Sequence, residues 1–90
     1  MLDGQTRNVL LGGRRTSIRL EAAFWSALDE ILELEGISFG ALVTRINTAN
    51  RNGGNLSGAV RVFIISYFTA LARQQGWSLP QRRDLRTSIN

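Results

Sequence analysis

Residues 14–20 read Arg-Arg-Thr-Ser-Ile-Arg-Leu, and this stretch decides the fold that the rest of the chain is expected to complete. Its side chains alternate between a largely apolar set and a polar, basic set: Thr16, Ile18 and Leu20 against Arg15, Ser17 and Arg19. A period of two residues predicts a β-strand with one face toward a core and the other toward solvent. We therefore expect a short strand with Arg15, Ser17 and Arg19 facing outward.

This strand has no evident partner elsewhere in the chain. Residues 1–13 are polar and end in two glycines, and we interpret them as a flexible N-terminal arm. A lone strand leaves its backbone donors and acceptors unpaired, which is costly. We therefore expect one strand per chain, with a second copy of the chain supplying the partner strand. The prediction is an obligate homodimer with an intermolecular antiparallel ribbon at about residues 14–20.

Two amphipathic helices are predicted after the strand. The first spans residues 21–35 and ends at Gly36, and the second begins after Ser38, a good N-cap, and fades near Asn50. Their apolar stripes have helical spacing. In the first helix the stripe is Phe24, Leu28, Ile31 and Leu32, with Trp25 and Leu34 at its flanks; in the second it is Phe39, Leu42, Val43 and Ile46.

A third helix is predicted after a loop at residues 51–55, with Asn55 or Ser57 as its cap and an end near Gln75. Its apolar side should pack on the preceding elements rather than extend into solvent: Val60, Phe63, Ile64, Tyr67, Phe68 and Leu71. The fold class is thus mainly α. The expected organisation is an arm at 1–13, a core at 14–76 that includes the third helix, and a basic tail at 77–90.

The composition excludes several classes of protein. Ninety residues allow one domain, and the chain contains no cysteine and no histidine. A disulfide framework, a zinc finger and a cysteine nucleophile are therefore excluded, and histidine, the commonest metal ligand and general base, is absent. We expect no enzyme activity, no metal and no cofactor. No segment reaches the roughly 20 apolar residues of a membrane span, so we expect no membrane and a cytoplasmic, nucleoid-associated protein.

Charge is distributed unevenly along the chain. All eleven basic residues are arginine and the formal net charge is +4. Residues 1–20 carry +3, residues 21–36 carry −5 with no base, and residues 37–90 carry +6. An all-arginine usage can reflect genome base composition alone. The segregation, however, suits a protein with one face toward an anionic partner and another toward water.

The order of basic strand, amphipathic helix, glycine-containing turn and Ser-capped helix at residues 16–46 resembles the ribbon–helix–helix superfamily, the Arc and methionine-repressor type. The segments that carry the resemblance are Thr-Ser-Ile-Arg-Leu-Glu at 16–21, the stripe of the first helix, and Gly36-Ile37-Ser38. It covers roughly a third of the chain. The run at 55–61 looks like the start of the added apolar helix found in some bacterial members.

The resemblance implies a role for particular side chains. Two paired strands would enter the major groove of double-stranded DNA, where Arg15, Ser17 and Arg19 would contact base edges. Backbone phosphates would be held by Arg14 and by the N-terminus of the second helix, at Ser38, Phe39 and Gly40. The family often has a polar side chain at the position of Gly40. Here only the backbone is available, which weakens that contact.

Two functions remain open at this point. The first is a sequence-specific DNA-binding homodimer, a transcriptional repressor or autoregulator. The second is a protein-interaction module, such as the antitoxin of a toxin–antitoxin pair, whose C-terminal helix binds a partner protein and whose DNA binding is secondary. A small toxin encoded by the neighbouring gene would favour the second. Two simpler roles also remain open: Arg15 and Arg19 as solvated edge charges, and Ser38 as a plain helix cap.

Overall fold

A computed structural model describes residues 4–50 and 54–75 of the chain. It has two strands followed by three helices: β1 (Gly4–Leu11), β2 (Arg14–Glu21), α1 (Ala22–Glu35), α2 (Phe39–Ala49) and α3 (Leu56–Gln74). The predicted class, mainly helical with an N-terminal ribbon and an added C-terminal helix, is confirmed. Residues 1–3 of the predicted arm and the predicted basic tail at 77–90 lie outside the described residues.

β1 and β2 form an antiparallel hairpin within one chain, with Gly4 opposite Glu21 and Leu11 opposite Arg14. The turn consists of Gly12 and Gly13, whose φ angles are 59° and 81°. Positive φ at both central residues is typical of the type I′ turn, whose twist matches that of paired strands. The prediction of one strand per chain is therefore corrected, because residues 4–11 of the expected arm form a second strand. Pairing of β2 with a second copy of the chain stays a prediction.

β1 gives only a short period-two signal because two of its four inward residues, Gln5 and Arg7, are polar, while Val9 and Leu11 are apolar. The Arg7 guanidinium lies 4.3 Å from the centre of the Trp25 ring and donates to both carboxylate oxygens of Asp29, at 2.9 and 3.2 Å. Trp25 Nε1 in turn donates to the carbonyl oxygen of Gln5 at 2.8 Å. Since α1 satisfies these polar groups, a strand that is polar at half of its inward positions can still pack on the core.

The helix boundaries follow the predicted signals. Gly36 ends α1 with φ 67°, and its N–H donates to Leu32 O at 2.8 Å. The Ser38 hydroxyl accepts from the Ala41 N–H at the start of α2. Of the two candidate caps for α3 it is Asn55 whose side chain accepts from the first N–H groups of the helix.

One core lies between the hairpin and the helices. Its buried members come from all five elements: Val9, Ile18, Leu20, Trp25, Leu28, Ile31, Leu42, Val43, Ile46, Val60 and Ile64. Trp25, expected at the flank of α1, is 2% exposed and meets Phe39 edge-on with ring centres 5.7 Å apart. Phe24, expected as a member of the stripe, is only half-buried. Trp25 also contacts Gln5 and Arg7 of β1, so the buried side of α1 is centred closer to Trp25 than the sequence predicted.

α3 packs on α1, α2 and β2, and two of its large apolar side chains remain mostly exposed. Val60 and Ile64 are buried, whereas Val62 and Ile65 are 65% and 58% exposed. Tyr67 donates to Glu35 at 2.7 Å, and this bond raises the pKa of Tyr67. By length and composition alone α3 could cross a membrane, because its best 18-residue window has a mean hydropathy of 1.3 and is 11% buried. The core helix of a soluble protein can meet the same criterion.

The glycine turn gives a first prediction. Gly13→Ala places a Cβ at φ 81°, where L-residues are strained by about 1–2 kcal/mol, and should lower the free energy of unfolding by that amount. Gly54→Ala, where a Cβ meets nothing within 4 Å and φ is not positive, is the matched control and should be near neutral. Chemical denaturation of both variants measures the difference. Equal free energies of unfolding for the two variants would contradict the positive φ of Gly13 in the turn.

Adjacent isoleucines in α3 give a second prediction. Ile64 is 2% exposed and Ile65 is 58% exposed. Ile64→Ala should cost about 2–5 kcal/mol of unfolding free energy because it opens a cavity between α3 and the core. Ile65→Ala should cost less than about 0.5 kcal/mol in a protomer. Thermal and urea unfolding at low protein concentration would test this order, and its reversal would mean that α3 packs through its other face.

Candidate nucleic-acid interface

The outward face of the hairpin carries the three residues expected to contact bases. Ile18 and Leu20 have no exposed surface, so the alternate positions of β2 must face solvent. Arg15, Ser17 and Arg19 are accordingly exposed. The structure thus brings the three side chains onto one face of a two-stranded ribbon. Their role as base contacts stays a prediction.

β1 adds a second row of side chains to this face. The register places Thr6 opposite Arg19, Asn8 opposite Ser17 and Leu10 opposite Arg15. Ser17 Oγ donates to Asn8 Oδ1 at 2.8 Å, and Leu10 is 65% exposed. Sequence analysis missed this row because residues 4–11 were assigned to an arm. The Gly12-Gly13 pair between two extended segments was the signal that could have revealed it.

Arg19 is fixed at its backbone by the first turns of α3. Its N–H donates to Ser57 Oγ at 3.2 Å, and its carbonyl oxygen accepts from Arg61 Nη2 at 3.4 Å. The Arg19 side chain lies across Gly4, where an added Cβ would come within 2.6 Å of Arg19 Nε. Gly4 therefore leaves room for this guanidinium at the open end of the hairpin.

Arg61 joins α3 to the end of β2 through a two-bond pair with a carboxylate. Its Nε and Nη2 atoms donate to the two oxygens of Glu21 at 3.1 and 3.2 Å. This hydrogen bonding lowers the pKa of Glu21. In the same way the bonds from Arg7 lower the pKa of Asp29 and raise that of Arg7. Both arginines therefore have a structural partner.

The remaining arginines of the hairpin have no such partner among the described acids. In residues 4–50 and 54–75, ion pairs involve Arg7 and Arg61 but not Arg14, Arg15 or Arg19. All three are exposed. The outward face and turn end of the ribbon therefore carry three guanidinium groups that form no ion pair with a described carboxylate. This surface suits a polyanion.

The predicted phosphate contacts are divided between two places. Arg14 lies beside the hairpin turn, opposite Leu11. The second place is the start of α2, at Ser38, Phe39 and Gly40. Ser38 Oγ accepts a hydrogen bond from the Ala41 N–H. The N–H groups of Phe39 and Gly40 have no acceptor within the helix. Gly40 faces Val9 of β1, since a Cβ there would lie 3.9 Å from Val9 Cγ2. The start of α2 is therefore adjacent to the ribbon. A phosphate role at either place stays a prediction.

The described residues were also compared with the requirements of a metal site and of a ligand pocket. The described residues contain no group of three or more His, Cys, Asp or Glu side chains that could hold a metal ion. Two grooves beside α3 are lined mainly by apolar side chains, and no residue of the hairpin lines either of them. The arrangement can bind an extended anionic partner through exposed guanidinium, hydroxyl and amide groups.

Comparison with known proteins identifies the family. A family model described as the ribbon–helix–helix domain matches residues 4–68, which include the hairpin, α1, α2 and most of α3. No curated protein and no solved structure matches the chain. Proteins with this domain are typically DNA-binding regulators or antitoxin-type proteins rather than enzymes, and they generally bind DNA as dimers. Since the match spans well over half of the sequence, the chain belongs to the ribbon–helix–helix domain family.

Proposed function

We propose that this protein is a sequence-specific DNA-binding homodimer, a cytoplasmic, nucleoid-associated transcriptional repressor or autoregulator that inserts its ribbon into the major groove. The observation that carries the proposal is the outward face of the hairpin. It presents two guanidinium groups, two hydroxyls, an amide and an exposed leucine, with no acid among them: Arg15, Arg19, Thr6, Ser17, Asn8 and Leu10.

These side chains match the chemistry of base edges. The major groove admits a two-stranded ribbon, where arginine can bond guanine O6 and N7 and an amide can bond adenine N6 and N7. A serine can reach either kind of base, and an apolar side chain can contact the thymine methyl group. Arg15 and Arg19 would therefore read guanines, while Asn8 and Leu10 would favour A·T pairs.

Affinity would come mainly from phosphates on either side of the groove. Arg14 extends from the turn end of the hairpin, and the free N–H groups at the start of α2 form an anion site strengthened by the helix dipole. Such contacts position the protein without reading sequence. Because one protomer already holds a complete ribbon, a homodimer would read two sites, one for each protomer.

A second candidate function is supported by the exposure of α3. Val62 and Ile65 point into solvent on a helix expected to be covered. An antitoxin-type protein would use this surface to bind a partner protein and would bind DNA secondarily. If the neighbouring gene encodes a small protein, co-expression with it discriminates the two. A stable one-to-one complex that Ile65→Glu abolishes would favour the antitoxin.

The ribbon proposal predicts that Arg19 contributes to specificity. Arg19→Ala should lose about 1–3 kcal/mol of binding free energy on the preferred duplex and relax base preference at one position. Binding to a random duplex should fall much less. Titrations of specific and random duplexes at two salt concentrations measure both effects. If Arg15, Ser17 and Arg19 can all be replaced by Ala without altering specific binding, the ribbon is not the reader.

β1 provides a separate prediction about the same face. Asn8→Ala removes the only amide of the outward face and should cost about 1–3 kcal/mol of discrimination at one A·T pair, with little effect on non-specific binding. Asn47→Ala, at an exposed position of α2, is the control and should leave both unchanged. Base-by-base substitution of the preferred site measures the discrimination. If Asn8→Ala has the same base preference as the wild type at every position of the site, only β2 contacts the bases.

A further inference from the structure

The outward row of β2 ends in an acid. After Arg15, Ser17 and Arg19, the next residue of the same parity is Glu21, which is also the one carboxylate within β1 and β2. A free carboxylate at this place would repel DNA phosphates, and it would compete with a guanine for a neighbouring guanidinium. What holds Glu21 therefore bears on how the ribbon contacts DNA.

The Arg19 side chain lies near enough to Glu21 to pair with it. Its guanidinium lies against Gly4, where an added Cβ would be 2.6 Å from Nε and 2.8 Å from Nη2. Because Gly4 is the cross-strand neighbour of Glu21, the guanidinium is directed toward the end of the hairpin where that carboxylate lies. Hydrogen bonds from Arg61 are the main cause of the lowered pKa of Glu21, and the charge of Arg19 also lowers it. Among the described residues, however, Arg19 and Glu21 form no ion pair.

Arg61 of α3 occupies the Glu21 carboxylate instead. Its Nε and Nη2 atoms donate to the two carboxylate oxygens at 3.1 and 3.2 Å. Two bonds from a planar guanidinium fix the direction of a carboxylate as well as its position. The Arg61 guanidinium also lies 5.8 Å from the centre of the Phe24 ring, so α1 contributes to its support. Glu21 is thus held by α3 and not by Arg19.

The same turns of α3 hold the backbone of Arg19. Its N–H donates to Ser57 Oγ at 3.2 Å, and its carbonyl oxygen accepts from Arg61 Nη2 at 3.4 Å. α3 therefore fixes the main chain at Arg19 and binds the nearby carboxylate, while the Arg19 guanidinium keeps its donors for another acceptor.

We propose that Arg61 is a positioning residue for base reading: by holding Glu21, it keeps the Arg19 guanidinium available for a guanine. The inference rests on the proposed reading function and gives α3 a part in specificity. Arg61 acts through Glu21 and Arg19 rather than by contacting a base. Without Arg61, the Glu21 carboxylate would pair with Arg19, and DNA would have to break that pair before Arg19 could bond a base.

The test compares binding of the full chain to two duplexes, one selected by the wild type from a random pool and one of random sequence. Arg61→Met keeps a long unbranched side chain and removes every donor. It should lower the ratio of specific to random binding by about fivefold, the strength of an exposed ion pair that DNA must break. Adding Glu21→Gln should return the ratio to within about twofold of the wild type. A purely structural pair predicts no such rescue, because the double variant also lacks the pair.

Two control variants separate this effect from net charge. Arg73→Met removes an arginine from the last turn of the same helix and should leave the ratio unchanged. Arg61→Met with Glu33→Gln, at an exposed position of α1, has the net charge of the rescued variant and should stay impaired. Circular dichroism checks that each variant is folded. If Arg61→Met is not folded, Arg61→Lys replaces it and should give the same order of ratios, because an ammonium cannot form the two-bond pair.

A measurement without DNA follows the carboxylate itself. In carboxyl-carbon NMR titrations, Arg61→Met should retain part of the lowering of the Glu21 pKa, because Arg19 then pairs with the carboxylate. Adding Arg19→Ala should raise that pKa to the ordinary range of a glutamate. Equal pKa values in the two variants would show that Arg19 does not take the carboxylate, and the inference would be wrong.

The positioning role and the reading function fail on different results. If Arg61→Met leaves the binding ratio unchanged, or if Glu21→Gln does not restore it, the positioning role is wrong, while base reading is still judged on Arg19→Ala. If Arg19→Ala leaves specific binding unchanged, or if the wild type selects no duplex, the reading function fails and Arg61 has no reading residue to position.

Discussion

Burial of Ile18 and Leu20 beneath the helices determines which side chains the hairpin presents to solvent. Both have no exposed surface, and strand alternation then forces Arg15, Ser17 and Arg19 outward. The opposite arrangement would bury two guanidinium groups without partners, at a large desolvation cost. Because β1 pairs with β2 in a defined register, the same constraint selects Thr6, Asn8 and Leu10 as their outward neighbours. One burial requirement thus organises the whole candidate interface.

Arginines in this protein divide into structural and unpaired groups. Arg7 and Arg61 each bond a carboxylate of another element, and they attach β1 to α1 and α3 to β2. Those carboxylates belong to the acidic segment at 21–36, so the segregation of charge along the chain partly serves internal pairing. Because both pairs are substantially exposed, each contributes little to stability. Their main effect is to position the hairpin and to leave Arg14, Arg15 and Arg19 as the cations of the ribbon.

Completion of the ribbon within one chain changes what a second copy has to contribute. In the expected arrangement the partner supplied the missing strand, whereas here Gly12 and Gly13 return the chain so that β1 supplies it. The apolar surface that remains is on α3, where Val62 and Ile65 are exposed. An exposed apolar face on a small protein commonly marks a contact with another molecule.

Local rules were sufficient for much of this fold. The alternation at 14–20, the spacing of apolar residues in three helices, and the stop and cap at Gly36 and Ser38 all depend on neighbours close in sequence, and each agrees with the structure. The outward set Arg15, Ser17 and Arg19 followed from the same alternation. These features depend on backbone periodicity and on hydrogen bonds within a few residues, so the sequence by itself determined them.

Contacts between distant residues decided the rest. Arg7 and Gln5 of β1 find partners on α1, about 20 residues away, and the two apolar inward residues Val9 and Leu11 are too few to give a clear period-two signal. Trp25 replaced Phe24 at the centre of α1 because its ring must meet both Arg7 and Phe39. The exposure of Val62 and Ile65 depends on how α3 lies against α1 and α2. An apolar side chain tends to be buried, but which apolar side chain succeeds depends on surfaces that only the assembled chain provides.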